Sequence, residues 1–96
     1  MLDDADVPRL VRRVRLRWDA ARTAHVLLFP EGVLLLNPAA AEVLTRVDGA
    51  RSVAAITGEL AALHPDTPAD ALAHDVRDLL TRVRERGFLT LDAEGP

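Results

Sequence analysis

The 96-residue sequence has no cysteine, no tyrosine and no lysine, and only one serine, one tryptophan and three histidines. Lack of cysteine excludes disulfides, thiolate metal sites, iron–sulfur clusters and a cysteine nucleophile. Without lysine and tyrosine there is no Schiff base, no phenolic acid and no phenolic nucleophile. The lone Ser52 lies outside any G-x-S-x-G elbow, and His25, His64 and His74 show neither HxH nor HxxxH spacing. The five glycines form no phosphate-cradling cluster. Long apolar runs are missing too: none approaches 18 residues, and the opening MLDDADVPRL is acidic with no hydrophobic leader region. These absences predict a cytoplasmic protein that spans no membrane, holds no metal or cofactor, and catalyses nothing by itself.

What is present suits a small globular domain. Apolar residues make up 49% and charged residues 28%, and the length allows one domain, with an ordered core over about 8–91 and frayed ends. All 12 basic residues are arginine. Charge is zoned: residues 1–8 are acidic, residues 9–22 carry six arginines against Asp19 alone, and the remainder is acidic again, for a net −3. A basic block ahead of an acidic body reads as an electrostatic docking patch or as the solvated face of a strand.

Periodicity divides the chain into strands and then helices. V-R-L-R-W over 14–18 alternates apolar and charged residues, the pattern of a strand with one face on a core. HVLLF (25–29) and VLLL (33–36), joined by Pro30-Glu31-Gly32, form a hairpin pattern. Asn37-Pro38 opens a helix to about Val47, and Ser52 opens a second that stops at His64-Pro65. Thr67-Pro68-Ala69-Asp70 resembles a capping box for a third helix, whose apolar stripe is Leu72, Val76, Leu79 and Val83, with Gly87 just past its end. A short extended segment follows over 88–91. The order predicts an α+β domain: a three-stranded antiparallel sheet followed by three helices, winged-helix-like in shape.

Two regions carry more apolar surface than such a fold needs. Val26–Phe29 and Val33–Leu36 are consecutive apolar residues, and consecutive side chains point to opposite sheet faces. Half of them therefore cannot meet the same helical layer; the third helix or the N-terminal arm covers them, or a partner does. The free hairpin edge can also accept an added strand. On the third helix, Ala73 and Leu80 lie beside the stripe with Arg77 and Arg84 at their rim, a flank suited to a hydrophobic, partly acidic peptide. A nucleic-acid-binding winged helix is the competing class. Its recognition helix would balance Arg77, Arg82, Arg84 and Arg86 against four acids, and DNA affinity demands a basic surface.

The stretch 14–56 resembles the PqqD family of pyrroloquinoline quinone (PQQ) biosynthesis. The resemblance rests on Arg15, Arg17, Asp19 and Arg22; on Val26 to Leu28 with Pro30, Glu31 and Gly32; on Leu36 and Asn37; and on Val47 to Val53. It covers roughly 8–91 and implies a non-catalytic peptide chaperone with the fold of a RiPP recognition element, in a pathway associated with quinone binding. Its implied partners are the ribosomal precursor peptide PqqA and the radical SAM enzyme PqqE. A recognition element of another peptide-modification pathway is the alternative. By position, the resemblance places the peptide on Val33, Leu34, Leu35 and Leu36 and against the Ala73, Arg77, Leu80 and Arg84 flank. Arg13, Arg15 and Arg17, at alternate positions, are expected to share one outward face and to dock the modifying enzyme. The free protein is expected to be a monomer or a weak homodimer, with no affinity for nucleic acid.

Overall fold

The computed structural model describes residues 2–91. In chain order the elements are β1 (Pro8–Leu10), β2 (Arg15–Asp19), β3 (Ala24–Phe29), β4 (Gly32–Leu35), α1 (Pro38–Leu44), α2 (Val53–Leu63), α3 (Ala69–Glu85) and β5 (Leu89–Leu91). The expected architecture is present: β2, β3 and β4 form an antiparallel sheet in that order, and three helices follow. Added to it is a two-stranded ribbon in which Pro8, Arg9 and Leu10 pair with Leu91, Thr90 and Leu89.

Each junction has a local cause. Pro30 and Glu31 make the turn between β3 and β4, closing on the Phe29–Gly32 pair. Asp19 turns the chain after β2. Its carboxylate pairs with the Arg22 guanidinium and accepts from the backbone N–H groups of Ala21 and Arg22. The Arg22 side chain, then its backbone N–H, hold that carboxyl below the ordinary aspartate range. Asn37 caps α1, its Oδ1 accepting from Ala40 at 2.8 Å, with Pro38 in the first turn. This helix ends at Leu44, short of Val47, because Arg46 and Val47 turn back onto Val43 and Leu44 in tighter i→i+3 bonds.

α2 begins with a complete cap. Ser52 Oγ accepts from Ala55 at 3.1 Å and its carbonyl accepts from Ile56. The two remaining first-turn donors, Val53 and Ala54, give to the carbonyls of Asp6 (2.8 Å) and Asp4 (3.0 Å) in the N-terminal arm. Ahead of this helix, Asp48 accepts from Arg51 and Ala50, and those bonds lower its carboxyl from the ordinary value. At α3 the expected capping box is not formed. Pro68 occupies the cap position with no side-chain bond, and Asp70 instead favours the positive end of the helix from its first turn. Gly87, at φ +81°, ends α3 in a Schellman motif: its N–H donates to Arg84 and that of Phe88 to Val83.

Leu27, Leu44, Val53, Ile56, Val76 and Leu80 form the centre of the core, between the helices and one face of the three-stranded sheet. The N-terminal end is not frayed as the sequence suggests: Leu2 is buried in this core. Phe88 stacks on Phe29 with ring centroids 4.6 Å apart, tying the end of α3 to the hairpin tip. Among the described residues, no helix is long and apolar enough to cross a membrane, and no three metal-ligating side chains converge. Removing the side-chain part of the α2 cap should be measurable. Ser52→Ala should cost about 1 kcal/mol, lowering the melting temperature by about 4–8 °C in a domain this size. An unchanged melting curve would mean that the arm's carbonyls suffice.

Candidate peptide-binding site

The sheet has two outer strands, and their edges differ. The Leu36 N–H donates to His25 at 3.0 Å, which marks His25–Leu36 as a hydrogen-bonded pair. Antiparallel pairs alternate, so Leu27–Leu34 is also bonded, whereas Val26–Leu35 and Leu28–Val33 are not. Val33 and Leu35 therefore direct their backbone N–H and C=O groups away from the sheet, along an open edge. On β2 the same alternation turns Leu16 and Trp18 outward. There the Leu16 carbonyl accepts from the Arg17 guanidinium at 3.1 Å, and arginine-bearing edges resist strand pairing. Only β4 offers an unblunted template.

The four predicted strand residues thus divide. Val33 and Leu35 are exposed, at 43% and 53%, and carry the free edge. Leu34 points to the opposite face and packs against the core, and Leu36 is buried beyond the end of β4.

α3 packs on α2 and β5. Its N-terminal half shares a cleft with α1 and α2 that reaches Asn37 and Ala39, just past the end of β4, and its C-terminal end meets the hairpin tip through Phe88. The expected stripe packs on the core: Val76 and Val83 are buried in it and Leu72 and Leu79 lie half-buried against it, with Leu80 buried beside them. Leu72 and Leu79 also line the cleft with Asp75 and Arg82. Of the Ala73, Arg77, Leu80 and Arg84 flank, Leu80 is fully buried, Ala73 and Arg84 are half-buried, and Arg77 forms an ion pair with Asp4. The N-terminal arm lies along this side of the helix, where Leu2 and Asp4 share a hollow with His74 and Arg77.

The basic residues also separate. Arg15 and Arg17 lie opposite Leu28 and Val26 in the ladder, on the outer face of the sheet. Arg13 does not share that face, because β2 begins only at Arg15. Its guanidinium reaches Glu31 at 3.5 Å and the Gly87 carbonyl at 3.3 Å, and lies over the Phe88 ring. Trp18, at the end of β2, is 55% exposed with its ring edge-on to His25. The arginines of α3 are largely engaged within the protein, Arg77 by Asp4, Arg82 by Asp78 and Arg86 over Phe88, a poor arrangement for holding phosphates.

A family profile described as coenzyme PQQ synthesis protein D (PqqD) matches residues 24–89. The chain belongs to the PqqD family. A relative named PqqA binding protein in Azotobacter vinelandii is 43% identical over 86 residues, covering 90% of this chain and 91% of that protein. Another of that name in Kluyvera intermedia is 38% identical, covering 92% and 94%. The solution structure of the PqqD part of Methylobacterium extorquens PqqCD is described as a functional, stand-alone RiPP recognition element. It superposes with a TM-score of 0.78 at 36% identity, over 94% of this chain and 95% of that one. Crystalline PqqD from Xanthomonas campestris gives 0.53 at 37% identity, over 90% and 94%. These names describe recognition and binding, and the family is non-catalytic.

Several residues of the PqqD resemblance serve the fold. Asp48 and Ser52 build the entry to α2; Gly49, at φ +77°, donates to Pro8 in the ribbon; Arg51 pairs with Glu59 at 2.9 Å. Leu72 and Leu79, which line the cleft, were absent from the predicted site, because their stripe accounts for packing on the core. The different burial of neighbouring leucines on α3 is testable by denaturant unfolding: Leu80→Ala should cost about 2–5 kcal/mol, and Leu79→Ala no more than about half of that. Equal losses would make Leu79 as much a core residue as Leu80.

Proposed function

We propose that this chain is a peptide chaperone that binds the precursor peptide PqqA as a strand added to β4 and presents it to the radical SAM enzyme PqqE in PQQ biosynthesis. The observation that carries the reading is the open edge of β4, where the backbone groups of Val33 and Leu35 point away from β3. An extended peptide there gains main-chain hydrogen bonds, and its side chains alternate between the two faces of the sheet. The names of the relatives supply the identity of the peptide, and the wider family resemblance supplies the enzyme.

Strand addition has a clean backbone test. The Val33 N–H points away from the sheet, so Val33→Pro removes a donor that β3 does not use. Isotope-edited titration of PqqA should show about five- to tenfold weaker binding to Val33→Pro, the scale of one lost hydrogen bond. Val33→Ala, which keeps the N–H, should bind within about twofold of the parent. A folded Val33→Pro variant with unchanged affinity would exclude pairing at this position.

A further inference from the structure

The face of the three-stranded sheet turned away from the helices buries Val26 at its centre but leaves Leu28, Val33 and Leu35 exposed. The ladder places Leu28 beside Val33 and Leu35 beside Val26. Arg15 and Arg17 border this strip on β2, directly opposite Leu28 and Val26. Three exposed aliphatic side chains with two guanidiniums at their margin have the layout of an interface: an apolar centre with a charged rim.

The charge on this rim is unmatched. Arg13, Arg22, Arg46, Arg51, Arg77 and Arg82 each meet a carboxylate within the chain. Arg15 and Arg17 donate instead to the carbonyls of Arg12 (3.0 Å) and Leu16 (3.1 Å), which leaves their positive charge uncompensated. Two residues along a strand separate them by about 7 Å, so they repel each other until carboxylates approach. A second copy of this chain cannot supply those carboxylates from the same face. Asp19, the acid of β2 on that side, is bound by Arg22.

We infer that this outer face docks a folded protein partner whose contact patch is apolar at its centre and bordered by carboxylates. The inference rests on the proposed function for one further feature. A peptide strand on β4 would continue the sheet, and every second side chain of it would stand beside Val33 and Leu35 on this same face. The partner then meets protein and peptide as a single surface. Peptide and partner therefore strengthen each other's binding, by the same factor in each direction.

The test uses the full chain with PqqE as the probe, with and without PqqA. Reversing both charges, Arg15→Glu with Arg17→Glu, should weaken PqqE binding about tenfold or more and flatten its salt dependence. Leu28→Ser, away from the β4 edge, should weaken PqqE as well. Both variants should bind PqqA within about twofold of the parent, which also reports that they are folded. Saturating PqqA should tighten PqqE binding to the parent by at least about fivefold. Parent-like PqqE affinity in both variants overturns the inference, as does finding that the variants lose only self-association or only binding to duplex DNA. If the parent fails to bind PqqA while the arginine and Leu28 effects on PqqE persist, the docking face stands and the peptide reading falls.

Discussion

A sheet has two faces, and in this protein the helices cover only one. Everything else follows from that inequality. Leu27, Leu34 and Phe29 turn inward onto α1, α2 and α3, so the intervening Leu28, Val33 and Leu35 turn outward. A strand as apolar as β3 or β4 is ordinarily sandwiched between two layers. Here no element among the described residues forms a second layer. The uncovered apolar surface lies beside an open strand edge, and together they form the part of the molecule suited to binding.

The N-terminal arm governs what remains available. Its Asp4 and Asp6 carbonyls accept from the first N–H groups of α2, Leu2 enters the core, and Asp4 pairs with Arg77 of α3. Leu72 and Leu79 lie on the side of α3 that lines the cleft. One side of the helix is thus occupied by a segment that belongs to neither helix nor sheet. Acidic residues in that arm have a structural use as well: Asp4 meets Arg77, and Asp6 accepts from the Asp3 N–H in its own turn.

How legible this was in the sequence depended on the range of the interaction. Features set by near neighbours could be read directly: the Pro30-Glu31 turn, the Asn37 and Ser52 caps, and Gly87 past the end of α3. So could the excess of apolar residues in β3 and β4, because alternation is a local rule. What could not be read was decided at long range. β1 is three residues long and pairs with the last described strand, which no local pattern announces. The burial of Leu80 had the same cause: the helical stripe of Leu72, Val76, Leu79 and Val83 could be read locally, but how far the buried face extends beyond it is set by packing against α2 and β5. Arg13 was misplaced because alternation was extended past the true start of β2.

The ribbon of β1 and β5 has a consequence in time as well as in space. Leu10 cannot find Leu89 until α3 has been made, whereas the hairpin and each helix need only residues close at hand. On a ribosome, the sheet and α1 can organise before the arm's partners on α3 and β5 exist. Closing so long a loop for so short a ribbon is entropically unfavourable, and non-local pairings of this kind slow folding. The docking of the arm therefore follows the completion of α3, and the ribbon closes only when β1 has met β5.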